Sequence, residues 1–304
     1  MEARDHLPDR SGGADDRVLA STRRASLAVF LILVPALIVL WGAPGETADL
    51  WAWPIAPDLT PIFLGSGYGA GAYFFWRTFT ADRWHPSSAG VLGASVFAGL
   101  MLVATLLHWD KFNHGDAPFL AAVAFYGWVS VYIVSPFAVF WLWWRNRRTD
   151  PRTPAAGEPL VPPRVRLAAA VFAGGSFGTA AVFFLSPQTA IDIWPWDLTP
   201  LTSRVLASFM AQVGIGAAVL ARDPRWSAWR LLIQTFFVAT ALLLAGAVRA
   251  FGDFDEGNAL TWLYLGGLAG ADVALLLLYR SMARGGRPAS PPPLSRPADA
   301  PGPR

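Results

Sequence analysis

Long apolar runs alternate with short polar breaks along the whole chain. Eight runs fall at residues 25–43, 59–77, 89–108, 118–144, 166–186, 199–221, 229–250 and 259–279. Each approaches the roughly 20 apolar residues that a helix needs to cross a hydrocarbon core about 30 Å thick. The pattern predicts an all-α integral membrane fold of eight transmembrane helices. Residues 1–24 are polar and mixed in charge with no apolar period, and are expected to form a disordered cytoplasmic tail. Residues 25–148 hold the first four helices, 149–165 a cytoplasmic linker rich in Arg and Pro, and 166–284 the second four. Residues 285–304 read as a disordered, Pro-rich cytoplasmic tail. The first run resembles a signal peptide in that GAPGETA follows an apolar stretch. Its long acidic N-region and its counterpart at 166–186 favour a retained helix.

Composition sharpens this picture. The chain is 54% hydrophobic and only 15% charged, with mean hydropathy +0.39, against roughly 25% charge in soluble domains. So little polar surface fits a polytopic membrane protein and not a soluble enzyme. The 15 tryptophans suit membrane interfaces. With no cysteine, disulfides, thiolate nucleophiles and thiolate metal ligands are excluded. Nearly every basic residue is Arg, a bias that points to a GC-rich bacterial genome. Of the 24 basic residues, all but Lys111, Arg204 and Arg249 fall on one side of the alternating breaks. The positive-inside rule makes that side cytoplasmic, with both termini inside and the chain in the plasma membrane. Topology thus accounts for the arginines, and no nucleic-acid partner is implied. The lipid bilayer is the one partner the sequence names.

Shifted by 142 residues, the chain partly matches itself. Thr47-Ala48 meets Thr189-Ala190, Arg24 meets Arg166, Arg83-Trp84 meets Arg225-Trp226, and Phe112 and Gly115 meet Phe254 and Gly257. The phrase Asp58-Leu59-Thr60-Pro61 meets Asp197-Leu198-Thr199-Pro200 at a shift of 139. This predicts a duplicated four-helix unit. Because four is even, the copies enter the membrane in the same sense, as a parallel repeat. The repeated phrase reads as a helix start: Asp58 and Asp197, or the neighbouring Thr, can accept from the free first-turn N–H groups, and Pro fits that turn. Trp-Pro ahead of it is expected to anchor the loop at headgroup level.

The stretch WPWDLTPLTSR, followed by an F-x-x-G loop, resembles a group of uncharacterised polytopic membrane proteins of actinobacteria and related bacteria. The resemblance covers most of the second half and, through the repeat, much of the first, which departs from it as WPIAPDLTP. It implies an integral membrane location and no assigned activity.

Several residues invite chemistry. Asp272 and Arg204 lie inside apolar runs, with Gln212 near Asp272 in depth. Buried charges in hydrocarbon seek partners or mark substrate and proton paths. Either an Arg204–Asp272 pair or a proton or substrate site is expected, with Arg204 snorkelling outward as a third possibility. His108, Asp110, His114 and Asp116 cluster in HWDKFNHGD and could ligate a divalent cation, as could Asp253, Asp255 and Glu256. The bland alternative is an outer face merely left acidic. His6 and His85 are placed in the cytoplasm, and His108 and His114 at the outer edge, so no facing pair for haem is expected, nor any other cofactor. Glycines at 65, 67, 69 and 71, at 174, 175 and 178, and at 266, 267 and 270 predict close helix packing. Three function classes follow: a non-enzymatic scaffold, assembly partner or sensor; a small-solute or proton-coupled transporter using Asp272 and Arg204 between the halves; and an enzyme with outer-facing chemistry at His108, Asp110 and His114. The first is preferred and transport is the alternative.

Overall fold

A computed structural model describes residues 15–285, and among these there are ten α-helices and no strand. They are α1 (Ala20–Gly42), α2 (Thr47–Leu50), α3 (Leu59–Thr80), α4 (His85–Leu107), α5 (Phe119–Asn146), α6 (Pro163–Leu185), α7 (Pro187–Ile193), α8 (Pro200–Arg222), α9 (Trp226–Arg249) and α10 (Ala259–Gly285). Seven of them are long and apolar enough to cross a membrane. The helix α3 has the length but not the apolarity. Its sequence, LTPIFLGSGYGAGAYFFWRTFT, is rich in Gly and polar groups, and 14 of its 22 residues are buried. A helix enclosed by other helices needs small residues for close approach and no lipid-facing stripe, so hydropathy under-reports it.

Residues 1–14 and 286–304 of the two expected tails lie outside the described residues. The remainder of the first, residues 15–24, is folded. Asp16 N–H donates to Thr149 O (2.7 Å) and Val18 N–H to Asp82 O (3.2 Å). Asn146 accepts from Leu19 N–H (3.0 Å) and donates to Arg17 O (2.9 Å). The helix α1 then begins at Ala20, ahead of the apolar run, because these bonds hold its approach in place.

Four helices form the centre. Helix α3 packs on α1 and α9, and α4 packs on α5, α8 and α9, while α8 also packs on α6. Each half therefore lends helices to the other: α3 lies on α9 and α4 on α8. The close approaches are made at glycines. A Cβ at Gly67 would enter the Phe209 ring of α8, and one at Gly246 of α9 would strike Ile62 of α3. At Gly93 it would stand 3.0 Å from the backbone O of Gln212. Gly65 does the same work within the first half, against the Trp41 backbone N at 3.0 Å. Gly69 and Gly71 are close-packed too, against Leu242 and Leu33, whereas the expected packing glycines of α6 and α10 differ. At Gly174, Gly175, Gly178, Gly266, Gly267 and Gly270 a Cβ would meet nothing within 4 Å, because these faces of α6 and α10 lie open.

The outside is apolar. Phe119 and Phe137 of α5, Leu167 and Val171 of α6, and Leu263 and Leu277 of α10 are all exposed. An uncovered surface of this kind is unsuited to water and fits a lipid bilayer.

The two Trp-Pro loops do not anchor at the surface. Trp53 and Trp196 are 3% and 4% exposed. Trp53 packs on Phe112 and Trp128 (5.1 and 4.8 Å between ring centres), and Trp196 on Phe254 and Tyr264 (both 5.5 Å). The Asn113 side chain clamps the first loop through Ala48 O and Trp51 O, and Asn258 clamps the second through Ile193 O and Trp194 O. The loops fold inward because each supplies the aromatic cap of its own bundle.

Phe209 is held by Phe63 and Phe97 at 5.4 and 4.6 Å and cannot swing aside. Gly67→Ala is therefore expected to cost about 1–3 kcal/mol, the usual range for overpacking. Gly267→Ala, facing open space, should change stability by less than about 0.5 kcal/mol. Thermal unfolding of both variants in detergent checks the contrast.

Candidate functional site

The helices α4 and α9 begin side by side at the Arg-rich end. A helix start leaves its first N–H groups without partners. Two carboxylates supply them. Asp16, from the strap ahead of α1, accepts from His85 N–H (3.0 Å). Glu158, from the strap ahead of α6, accepts from Ser227 N–H (2.9 Å). Each strap also forms one isolated bridge pair, Arg17 with Arg83 and Leu160 with Arg225. Negative charge at a helix start also suits the macrodipole.

The capped residues then meet across the halves. His85 Nδ1 lies 2.5 Å from Asp16 Oδ2, and His85 Nε2 lies 2.7 Å from Ser227 Oγ. The Ser227 hydroxyl donates to Glu158 Oε1. The His85 side chain is only 5% exposed. The result is one chain of contacts, Asp16–His85–Ser227–Glu158, running from the first half into the second. Beside it, Arg225 pairs with Asp150 (2.7 Å) and Asp223 (2.6 Å). Burial alone would lower the Arg225 guanidinium, but hydrogen bonds from it to Asp223 and Asp150 drive its pKa well above the ordinary value. Burial would raise the Asp150 carboxyl. The bonds it accepts from Arg225 and from Arg152 N–H outweigh that and hold it below the ordinary carboxylate range. Burial likewise opposes ionisation of Glu158, and the bonds from Ser227 and Ala155 N–H bring it down.

The order Asp–His–Ser is that of a nucleophilic relay, in which His takes the hydroxyl proton. Here the hydroxyl is directed at a carboxylate instead. Glu158 also occupies the Ser227 N–H, where acyl transfer needs a free donor for a developing oxyanion. The arrangement joins helices and is poorly made for acyl chemistry. With Glu158 ionised, all three links are filled when both ring nitrogens of His85 carry protons.

At the acid-rich end the residues expected from sequence fall into different company. Arg204 and Asp272 make no ion pair. Arg204 Nη1 donates to His108 Nε2 (2.8 Å), its guanidinium lies 5.9 Å from the Phe184 ring centre, and its Nε finds no partner among the described residues. Asp272 Oδ1 accepts from Thr240 Oγ1 (2.8 Å), on the neighbouring α9. Gln212 packs its backbone against Gly93. Burial first, then the Arg204 cation, lowers His108 below the ordinary imidazole value. The neutral ring accepts from Arg204.

The expected metal cluster of His108, Asp110, His114 and Asp116 does not assemble. Among the described residues no group of three or more His, Asp or Glu comes together to hold a metal ion. His108 faces a cation, Asp110 pairs with Lys111 (2.8 Å), and His114 stacks on Trp109. The acidic trio of the second loop separates too, since Asp253 Oδ2 accepts from Leu59 N–H (2.9 Å), at the start of α3.

That bond corrects the expected caps. Asp58 makes no capping bond because it already has helical backbone angles (φ −58°, ψ −30°), and the carboxylate on α3 comes from Asp253 of the other half. Asp197 does not cap α8 either. Thr199 does so, in a reciprocal box with Thr202.

The geometry defines an all-helical protein whose seven apolar, span-length helices and inward loops are joined by polar contacts at both ends. Compared with protein-family models, curated proteins and solved structures, the chain matches none.

Arg225→Ala leaves Asp150 and Asp223 facing each other without a cation. It is expected to cost about 3 kcal/mol or more, as for other broken buried pairs. Asp150 and Glu158 have depressed values in the fold. Their stabilisation is therefore complete above the unfolded carboxylate value near about 4 and is lost as pH falls through the folded values. Unfolding midpoints measured through the acid range should fall, and Asp150→Asn should flatten part of that fall.

Proposed function

We propose that the chain is an integral multi-pass membrane protein of non-enzymatic character, a scaffold, assembly partner or sensor. In this reading it is a parallel duplication of a four-helix unit, with α3 counted as an eighth crossing and both termini cytoplasmic. The observation that carries the reading is the interlock of the halves: Phe209, Gln212 and Ile62 each fill a glycine notch of the other half. A surface of this kind favours one fixed arrangement over two alternating ones.

Related contacts in both halves support the duplication. Asp16 and Glu158 lie 142 residues apart, as do His85 and Ser227, and the two carboxylates serve corresponding helix starts, those of α4 and α9. The arginine distribution supports the orientation.

The chain has no native cysteine, so spin labels at Arg24→Cys and Arg164→Cys report the distance between the halves. A single narrow distribution, unchanged by pH or an ion gradient in vesicles, is expected. Two populations that exchange with the gradient would overturn the reading in favour of the transporter alternative centred on Asp272 and Arg204. In that case Asp272→Asn should abolish proton-linked uptake while the protein still folds.

A further inference from the structure

A cavity of about 350 Å³ lies beside the relay at the Arg-rich end, lined by Pro159, Trp226, Arg230, Tyr279, Met282 and Ala283. No carboxylate lines it. Among the described residues Arg230 makes no ion pair or hydrogen bond, and the Trp226 indole N–H makes none either. Tyr279 receives a directed chain of hydrogen bonds. Arg77 Nη1 donates to Tyr73 Oη (3.1 Å), Tyr73 O–H donates to Gln234 Oε1 (3.2 Å), and Gln234 Nε2 donates to Tyr279 Oη (3.1 Å). Each step runs one way, because a guanidinium and an amide N–H can only donate. The phenol oxygen of Tyr279 is thus occupied as an acceptor, and its proton is left for something else. Three donors, one of them a full cation, face a cavity without an acceptor side chain.

The depth of the cavity identifies what could fill it. Tyr279, Met282 and Ala283 fall in the last two turns of α10, whose 27 residues span about 40 Å at 1.5 Å per residue. Arg230 lies one turn into α9. Both positions reach the headgroup layer that flanks a core about 30 Å thick. Arg280 and Arg284 add positive charge on α10 at the same level. Leu276 and Leu277, one turn deeper on the open side of that helix, offer an exposed apolar track for an acyl chain. Basic pockets between helices at this level suit phosphate headgroups.

We propose that this cavity is a binding site for the phosphate headgroup of an anionic phospholipid. Arg230 forms the charge-assisted bond to the phosphate, and Tyr279 O–H and the Trp226 N–H add neutral ones. The assignment rests on the membrane-embedded reading above. Failure of headgroup selection would leave that reading intact, because a membrane protein need not select its lipids.

The test uses the full chain purified in detergent, with bound lipid counted by native mass spectrometry during titration with phosphatidylglycerol, phosphatidylcholine or glycerol 3-phosphate. Phosphatidylglycerol is expected to bind, and phosphatidylcholine, which offers the same phosphate but whose choline cation is repelled by Arg230, Arg280 and Arg284, to bind at least about tenfold more weakly. Arg230→Gln should lose about that factor and Tyr279→Phe a smaller one. Arg24→Gln, an exposed arginine at the same end of the other half, should lose nothing. Equal losses in Arg230→Gln and Arg24→Gln would reduce the effect to net charge and overturn the site. Equal binding of phosphatidylcholine would overturn it too. Displacement of the lipid by glycerol 3-phosphate at matched concentration would assign the cavity to a soluble phosphate and overturn the lipid assignment.

Discussion

Close approach between the two halves is the constraint from which the rest follows. Within a bilayer the lipid tails are as apolar as leucine, so burying apolar area does not drive helices together. Van der Waals fit and interhelical hydrogen bonds must do it. The contacts of α3 with α9 and of α4 with α8 meet that demand with glycine notches filled by Phe209, Gln212 and Ile62. The same demand explains why α3, alone among the long helices, is not apolar enough to be counted as a span. Its Gly, Ser and Tyr residues serve neighbours and not lipid: Ser66 bonds its own helix at Ile62 O (2.8 Å), and Tyr68 meets Tyr132 at 2.8 Å in the buried interior. The outer helices α5 and α10 carry the lipid-facing side chains instead.

A second demand acts at the helix ends, where backbone groups lack intrahelical partners and water is scarce. The answer recurs throughout: an end in one segment is completed by a side chain from a distant one. Asp253 of the second half completes the start of α3. Arg249 donates to Trp41 O and Gly42 O at the end of α1. Arg23 and Arg166 do the same for the ends of α3 and α8. Several arginines that mark the topology therefore also cap carbonyls, and cations at a helix C-terminus meet the negative end of its dipole. Charge distribution and packing are satisfied by the same residues.

These demands also decide what could be read from the sequence. Hydropathy located the long helices to within a few residues because each lipid-facing surface is a local property. It found α3 as well, at residues 59–77, although that helix is the most enclosed, with 14 of its 22 residues buried. The caps were read as local: the neighbouring Thr does serve α8 at Thr199, but at α3 the adjacent Asp58 does not cap, and the working carboxylate, Asp253, lies 194 residues away. The tryptophans were read as surface anchors because composition says that an indole suits an interface, not which side of the loop packs. Asp16 and Glu158 sat in stretches too polar to suggest a fold. A signal for them did exist. The 142-residue shift that aligns Arg83-Trp84 with Arg225-Trp226 also carries Asp16 onto Glu158 and His85 onto Ser227. Paired positions in polar regions were the place to look.

The difference between those paired positions is informative in itself. Under the proposed duplication, identical residues at 85 and 227 would face each other across the pseudo-twofold axis, His on His or Ser on Ser. Two histidines between two carboxylates would bring two imidazoles into contact, and two serines would leave the span between Asp16 and Glu158 too short of reach. One of each gives a donor and acceptor at every link. At the opposite end Trp196 Nε1 donates to Thr60 Oγ1 (3.0 Å) and Arg204 to His108, again across the halves and again between unlike residues. The halves are thus pinned by polar contacts at both ends of an apolar, close-packed middle. Separating either end would leave several polar groups facing lipid or one another, at about 1 kcal/mol for each hydrogen bond lost and more for each charge stranded. Under the proposed duplication, the departures from symmetry supply the polar contacts that join the two halves.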